Sequence, residues 1–196
     1  ASMSFVKDAV NSYPSIAGAL GPVDSLAEKL AAMAGLPIDK FRFLGCSLLS
    51  FPLCLIHRLL PDSPTLKHFY SSFFGILYAV FSFREQAMHS LIPAFATYLL
   101  VLVAGESPLC PRIAMVGNFG YMFLCHIYMQ FTAWGSYTLD FTGAQMVLTL
   151  KLVMFAYNRY DGARLKKDAG KGLSTTQTEW ALTKTPSPLE FFSSAY

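Results

Sequence analysis

Lys151 stands near the midpoint of the twenty-residue apolar stretch Phe141–Tyr160, where a charge needs a reason. An ammonium at the centre of a bilayer costs on the order of 2.5–3.5 kcal/mol on insertion scales. Half the hydrocarbon core is about 15 Å deep, so a central lysine cannot snorkel to the headgroups. It must face protein, a water-filled cavity or an anionic partner. At helical spacing Ala144, Val147, Lys151, Met154, Asn158 and Gly162 fall on one stripe. Lys151 and Asn158 are its polar members and the rest are mostly small or adaptable, so this side need not face lipid and an interior facing is predicted. Gln145 lies off the stripe and reads as a buried amide in need of a partner. Asn158, Arg159 and Asp161 close the stretch, followed by the basic run Ala-Arg-Leu-Lys-Lys. Arg159 and that run suit an entrance that attracts phosphates. The same residues equally suit positive-inside topology and the cation preference of a helix C-terminus. Gly162 reads as the glycine that ends the helix.

His126 is the histidine placed well inside an apolar segment. It reads either as a catalytic base or a tunnel-lining residue or, with more weight, as a packed histidine hydrogen-bonded to a neighbouring helix or loop, the base role carrying the least. His57, His68 and His89 sit at segment ends, and no H-x-x-x-H pair exists, so no metal site is expected. Cys46, Cys54, Cys110 and Cys125 form no C-x-x-C pair; three lie in or beside apolar runs and read as small buried hydrophobes. Net charge is +3 without a basic-aromatic alternation, which argues against nucleic acid. The Gly170-Lys171-Gly172 triplet lacks the spacing of a phosphate-binding loop.

The elements that must position these residues are apolar. The chain is 54% hydrophobic and 14% charged, against about 25% charged in soluble domains, and its 17 Phe and 10 Tyr suit lipid packing and interfacial belts. The fold class expected is all-α, a polytopic membrane helix bundle of about five apolar segments: 41–60 (broken by Pro52), 69–83, 90–105, 113–134 and the Lys151 stretch. A span takes about 20 residues, so the second and third are short enough to be tucked, tilted or re-entrant. Trp134 and Tyr137 read as belt residues. Residues 1–40 form a polar N-terminal segment carrying an amphipathic helix, with Ser25 and Glu28 at capping-box spacing, Leu26, Leu30 and Met33 as its apolar face, and Gly35 with Pro37 as its stop. That helix lies on the membrane or packs on the bundle. No secretory signal is read there. Residues 41–162 are the bundle, and 163–196 a cytoplasmic loop leading to a further helix. A cytoplasmic tail gathers Arg58, Lys67, Arg112, Arg159, Arg164, Lys166, Lys167 and Lys171 on the inner side, against Lys7, Lys29, Lys40, Arg42 and Arg84 outside.

The stretch DFTGAQMVLTLKLVMFAYNRYDG, Asp140–Gly162, resembles a signature of the membrane-bound O-acyltransferase family, nearest to lysophospholipid acyltransferases of the fungal type. A weaker likeness runs back through FLCHIYMQF, 123–131, and forward into SPLEFFSSAY, 187–196. The resemblance implies a multi-pass endoplasmic-reticulum membrane enzyme that moves an acyl group from acyl-CoA to the hydroxyl of a lysophospholipid, in a tunnel through the bilayer and without a cofactor. Its expected partners are membrane lipids, acyl-CoA and lysophospholipid. The family's intramembrane histidine and asparagine belong to the C-terminal half, so no catalytic residue is assigned to this chain, which reads as the N-terminal part of a longer protein and as inactive alone. The alternative is a non-enzymatic polytopic protein, a transporter half or helix-bundle adaptor, in which Lys151 is a counter-ion. A transporter half would show an inverted repeat or paired broken helices, and neither is apparent.

Overall fold

The computed structural model describes residues 21–132, 139–168 and 172–196. Lys7, Trp134, Tyr137 and Lys171 lie outside the described residues. Among those described, the structure is helical without strands: α1 Gly21–Ala34, α2 Ile38–Leu59, α3 Pro64–Phe83, a 3-10 turn at Arg84–Ala87, α4 Met88–Ala104, α5 Leu109–Thr132, α6 Thr142–Asp168, α7 Thr175–Trp180 and α8 Pro188–Ala195. The five apolar segments become α2 to α6. One of them, α2, is long and apolar enough to cross a membrane; α4 is apolar but shorter.

Several helix ends differ from the sequence reading, each for a local reason. The second apolar segment is not short, because α3 starts at Pro64, whose fixed φ suits the first helical position, and runs 20 residues. Helix α1 starts one turn before Ser25. The expected capping box therefore does not form, and Ser25 Oγ donates to the Pro22 carbonyl instead. Gly35 does stop α1, in the left-handed region at φ 66°. The bundle side of α1 is Ala27 and Ala31, while Leu26, Leu30 and Met33 stay exposed. Helix α6 does not end at Gly162. The run Ala163-Arg164-Leu165-Lys166-Lys167 consists of good helix formers, and the helix continues to Asp168.

Helices α2 to α6 alternate in direction, so their ends sort into two sets. One end holds the α2–α3 connection, the α4–α5 turn and the C-terminus of α6, with Arg58, Lys67, Arg112, Arg159, Arg164, Lys166 and Lys167. The opposite end holds Arg42 and Arg84, with α1 lying across it. There Asp24 of α1 pairs with Arg84 and, at 3.2 Å, with Arg42 of α2. Arg84 has φ 56°, an uncommon conformation for a residue with a side chain, and the ion pair holds the turn in it.

The Arg84 hydrogen bond to Asp24, with the charges of Arg84 and Arg42, keeps its carboxyl below the ordinary value of 3.8. A depressed carboxyl stabilises the folded form fully above the unfolded pKa, and the contribution is lost as pH falls through the folded one. Amide exchange in α1, corrected for intrinsic rates, should therefore rise only as pH drops below about 4. In Asp24→Asn it should be raised already at neutral pH; unchanged exchange in that variant would remove the clasp from the account.

The core joins side chains of α4, α5, α6 and α8, with α8 resting on α3, α4 and α6. Phe191 of α8 is fully enclosed, its ring 4.7 Å from Phe155 of α6 and 4.9 Å from Tyr98 of α4, with Ala94, Val101, Cys110, Ala114, Leu152 and Ala156 around it. Burying a phenylalanine contributes about 1.5–3 kcal/mol. An eight-residue helix would be marginal alone, so Phe191 is what seats α8. Both short helices begin with a complete capping box, Ser174 with Gln177 and Ser187 with Glu190.

Candidate functional site

The polar end of α6 clips the 174–186 segment onto the bundle. The Leu182 N–H donates to the Asn158 carbonyl at 2.9 Å. Arg159 Nε donates to Thr185 Oγ1 at 3.1 Å and its Nη2 to Glu106 Oε1 at 3.0 Å. Gln177 Nε2 donates to Asp161 Oδ2 at 3.2 Å. Gly162 has no side chain, and that allows the Leu182–Thr183 backbone to cross α6 there; a Cβ would overlap the Leu182 carbonyl. Four of the five residues of the sequence Asn-Arg-Tyr-Asp-Gly thus fix the chain that leads into α8, and α8 in turn closes one side of the groove that holds Lys151.

Lys151 is exposed in that groove, and its Nζ donates to the Ala195 carbonyl at 3.2 Å. It borders two cavities. On one side is a space of about 400 Å³ with Phe43, Phe83, Phe141, Val147, Leu148 and Tyr196 on its wall. On the other is a groove of about 780 Å³ reaching Asn158, Trp180, Thr183, Thr185 and Glu190. The stripe read from helical spacing runs along both: Ala144, Val147 and Lys151 line the first, Lys151, Met154 and Asn158 the second. His68 and Ser194 also line the second and open onto a third cavity, of about 530 Å³, at the α2–α3 connection.

The other candidates fall elsewhere. Gln145 is 1% exposed, and among the described residues neither of its amide atoms has a hydrogen-bond partner; the same holds for Thr149 Oγ1 one turn on. Leaving a buried polar group unpaired costs about 1–3 kcal/mol, and Gln145 lines none of the cavities around Lys151. His126 is half-buried, with Nδ1 2.9 Å from the Met122 carbonyl of its own helix, and it too is absent from those cavities. Asp161 is buried under Gln177. Arg159, 6% exposed, lines a separate cavity of about 510 Å³ with Gly105, Glu106, Ser107, Lys167 and Thr185.

Sequence reasoning missed Glu106, Gln177, Thr185, His68 and Ser193. The serine–glutamine and serine–glutamate spacings of the capping boxes were signals for the short helices that present two of them, Gln177 and Ser193. His68 carried none; its role follows from Ser193 Oγ lying 2.6 Å from its Nδ1, across 125 residues of chain.

No family model matches the chain. Known proteins do. It is 34% identical over 165 residues to lysophospholipid acyltransferase 2 of Arabidopsis thaliana, covering 83% of this chain and 34% of that protein. It is 31% identical to lysophospholipid acyltransferase 6 of Drosophila melanogaster over 84% of this chain and 23% of that one. It is 29% identical to membrane-bound glycerophospholipid O-acyltransferase 2 of Mus musculus over 86% of this chain and 33% of that one. The chain therefore spans a third or less of the length of these relatives, the matched part including most of the helices described.

Proposed function

Because this chain is a relative of the lysophospholipid acyltransferases of the membrane-bound O-acyltransferase family, we propose that the protein it belongs to transfers a fatty acyl group from acyl-CoA to the hydroxyl of a lysophospholipid. The relatives' names favour this over a transporter or adaptor. The observation that carries the reading is the placement of Lys151 between an aromatic-aliphatic cavity and a groove of mixed polar and apolar lining. An acyl chain belongs in the first by the hydrophobic effect. The thioester and the attacking hydroxyl are polar and belong at the boundary, where Lys151 and Asn158 supply donors.

In this reading α2 to α6 cross the membrane, and their cation-rich ends face the cytoplasm of an endoplasmic-reticulum bilayer. Exposed Leu48, Phe51, Leu55, Val103, Val116 and Phe123 then meet lipid. Acyl-CoA approaches from the cation-rich side. Arg159 shapes that entrance more than it binds there, since Glu106 and Thr185 already hold its guanidinium; the exposed Lys167 is the better placed for phosphate. No histidine of this chain is assigned the proton from the hydroxyl. That step needs an imidazole positioned against the acceptor, which the resemblance places in the C-terminal half of such proteins.

Lys151→Leu in the complete protein should lower acyl transfer by about 100-fold, the low end of the cost of losing one aimed donor, with insertion and expression unchanged. Lys151→Arg should retain more of it. Equal turnover by wild type and the leucine variant would sink the tunnel role and leave Lys151 a packing residue.

A further inference from the structure

The third cavity is lined almost wholly by polar and titratable residues, where aromatic and aliphatic ones make most of the wall of the first. Its wall is made by His57 at the end of α2, Asp62 in the connection, Lys67, His68 and Ser71 in the first turns of α3, and Ser193 with Ser194 on α8. Lys67 Nζ pairs with Asp62 at 2.6 Å, yet the Asp62 side chain is 99% exposed. So open a pair adds little to stability and exchanges readily for other partners. Ser193 Oγ donates to the Glu190 carbonyl at 2.9 Å, so it accepts from His68 Nδ1–H. That bond orients the ring and leaves Nε2, which becomes a second donor on protonation.

The site therefore sets a cation beside an anion, Lys67 against Asp62 at 2.6 Å, among the His57 and His68 rings and the hydroxyls of Ser71, Ser193 and Ser194. Through His68 and Ser194 it joins the groove of Lys151, and through Lys151 and Ala195 the apolar cavity. Polar mouth, mixed groove and apolar end follow the profile of a single-chain amphiphile. We propose that this mouth holds the headgroup of a zwitterionic phospholipid, its phosphate on Lys67 and His68 and its ammonium on Asp62, and that it sets headgroup preference. A neutral dipole of charges exchanges with the Lys67–Asp62 pair and leaves no charge unmatched. An anionic headgroup without an amine leaves Asp62 opposed to nothing, and specificity of this kind rests on such mismatches.

The inference rests on the lysophospholipid reading above, and its test separates the two. The complete protein, in nanodiscs, is given lysophosphatidylcholine or lysophosphatidylinositol carrying the same acyl chain, with a single acyl-CoA. Wild type should favour the choline lipid in kcat/KM. Asp62→Lys, at a fully exposed position that leaves the fold intact, should shift that ratio toward the inositol lipid by about tenfold or more. Lys67→Glu should weaken both. An unchanged ratio in Asp62→Lys with turnover retained overturns the headgroup site and leaves the acyltransferase reading standing. Absence of any acyl transfer by wild type overturns that reading instead. In that case native mass spectrometry of retained phosphatidylcholine against phosphatidylinositol still decides the site: equal retention by wild type and Asp62→Lys overturns it.

Discussion

Gly162→Ala should destabilise the protein by about 2–3 kcal/mol and reduce acyl transfer of the complete enzyme to a hundredth or less. Two effects of opposite sign compete at this position. In the interior of a helix, alanine is favoured over glycine by roughly 0.5–1 kcal/mol, and Gly162 has an ordinary helical conformation that gives it no backbone reason to be glycine. Against this, the added methyl overlaps the Leu182 carbonyl and comes within 2.8 Å of Thr183 N. Those are backbone atoms, with no flexible end to swing aside. The segment must lift, which breaks the Leu182 N–H bond to Asn158, draws Thr185 from Arg159 and loosens α8 with Phe191. Sterics win. Thermal unfolding in detergent together with turnover reads both effects. A variant with raised Tm and full activity would mean that the segment does not cross α6 there.

Glu106→Ala should be nearly as harmful, although Glu106 itself is 58% exposed. Its partner Arg159 is 6% exposed, and one of its nitrogens, Nη1, already has no partner among the described residues. Stripping the carboxylate from a fully buried guanidinium costs about 3–5 kcal/mol. Here solvent reaches the pair from the Glu106 side, so a loss of about 2 kcal/mol is expected. Glu106→Gln keeps an acceptor and should cost less. Adding Arg159→Met to Glu106→Ala should recover part of the loss, because it removes the orphaned charge. A double-mutant cycle on unfolding free energy measures this; strictly additive losses would show that the two side chains act independently.

The features that depend on local period were legible before any coordinates. The Lys151 stripe is one, since residues three and four apart must share a face wherever the helix sits, and the stop at Gly35 is another. What could not be read was which face meets what. Asn158, Arg159, Asp161 and Gly162 looked like a membrane rim, yet their partners Leu182, Thr185 and Gln177 lie 16 to 26 residues further on. No single-sequence pattern announces a crossing between a helix and a later loop. Gly162 was misread as a terminus because a glycine chosen for close approach and one chosen for a left-handed cap look alike in sequence. Gln145 was correctly read as buried, whereas its lack of a partner is visible only in three dimensions. Leu26, Leu30 and Met33 were read as an apolar face, but α1 packs through its alanines, since Ala27 and Ala31 allow the closer approach.

The unequal helix lengths have a consequence for the lipid itself. At 1.5 Å per residue, α4 is about 26 Å long and α6 about 40 Å, though they pack side by side in one core. In the proposed membrane setting, α6 outreaches the hydrocarbon core of about 30 Å and carries Arg164, Lys166 and Lys167 beyond it. Helix α4 matches a hydrocarbon layer of about 27 Å, while one of about 32–33 Å must thin beside it, at a fraction of a kcal/mol for each ångström. Bilayer thickness thereby becomes a sorting signal for this protein, and the short flank of α4 is where the surrounding leaflets are most strained.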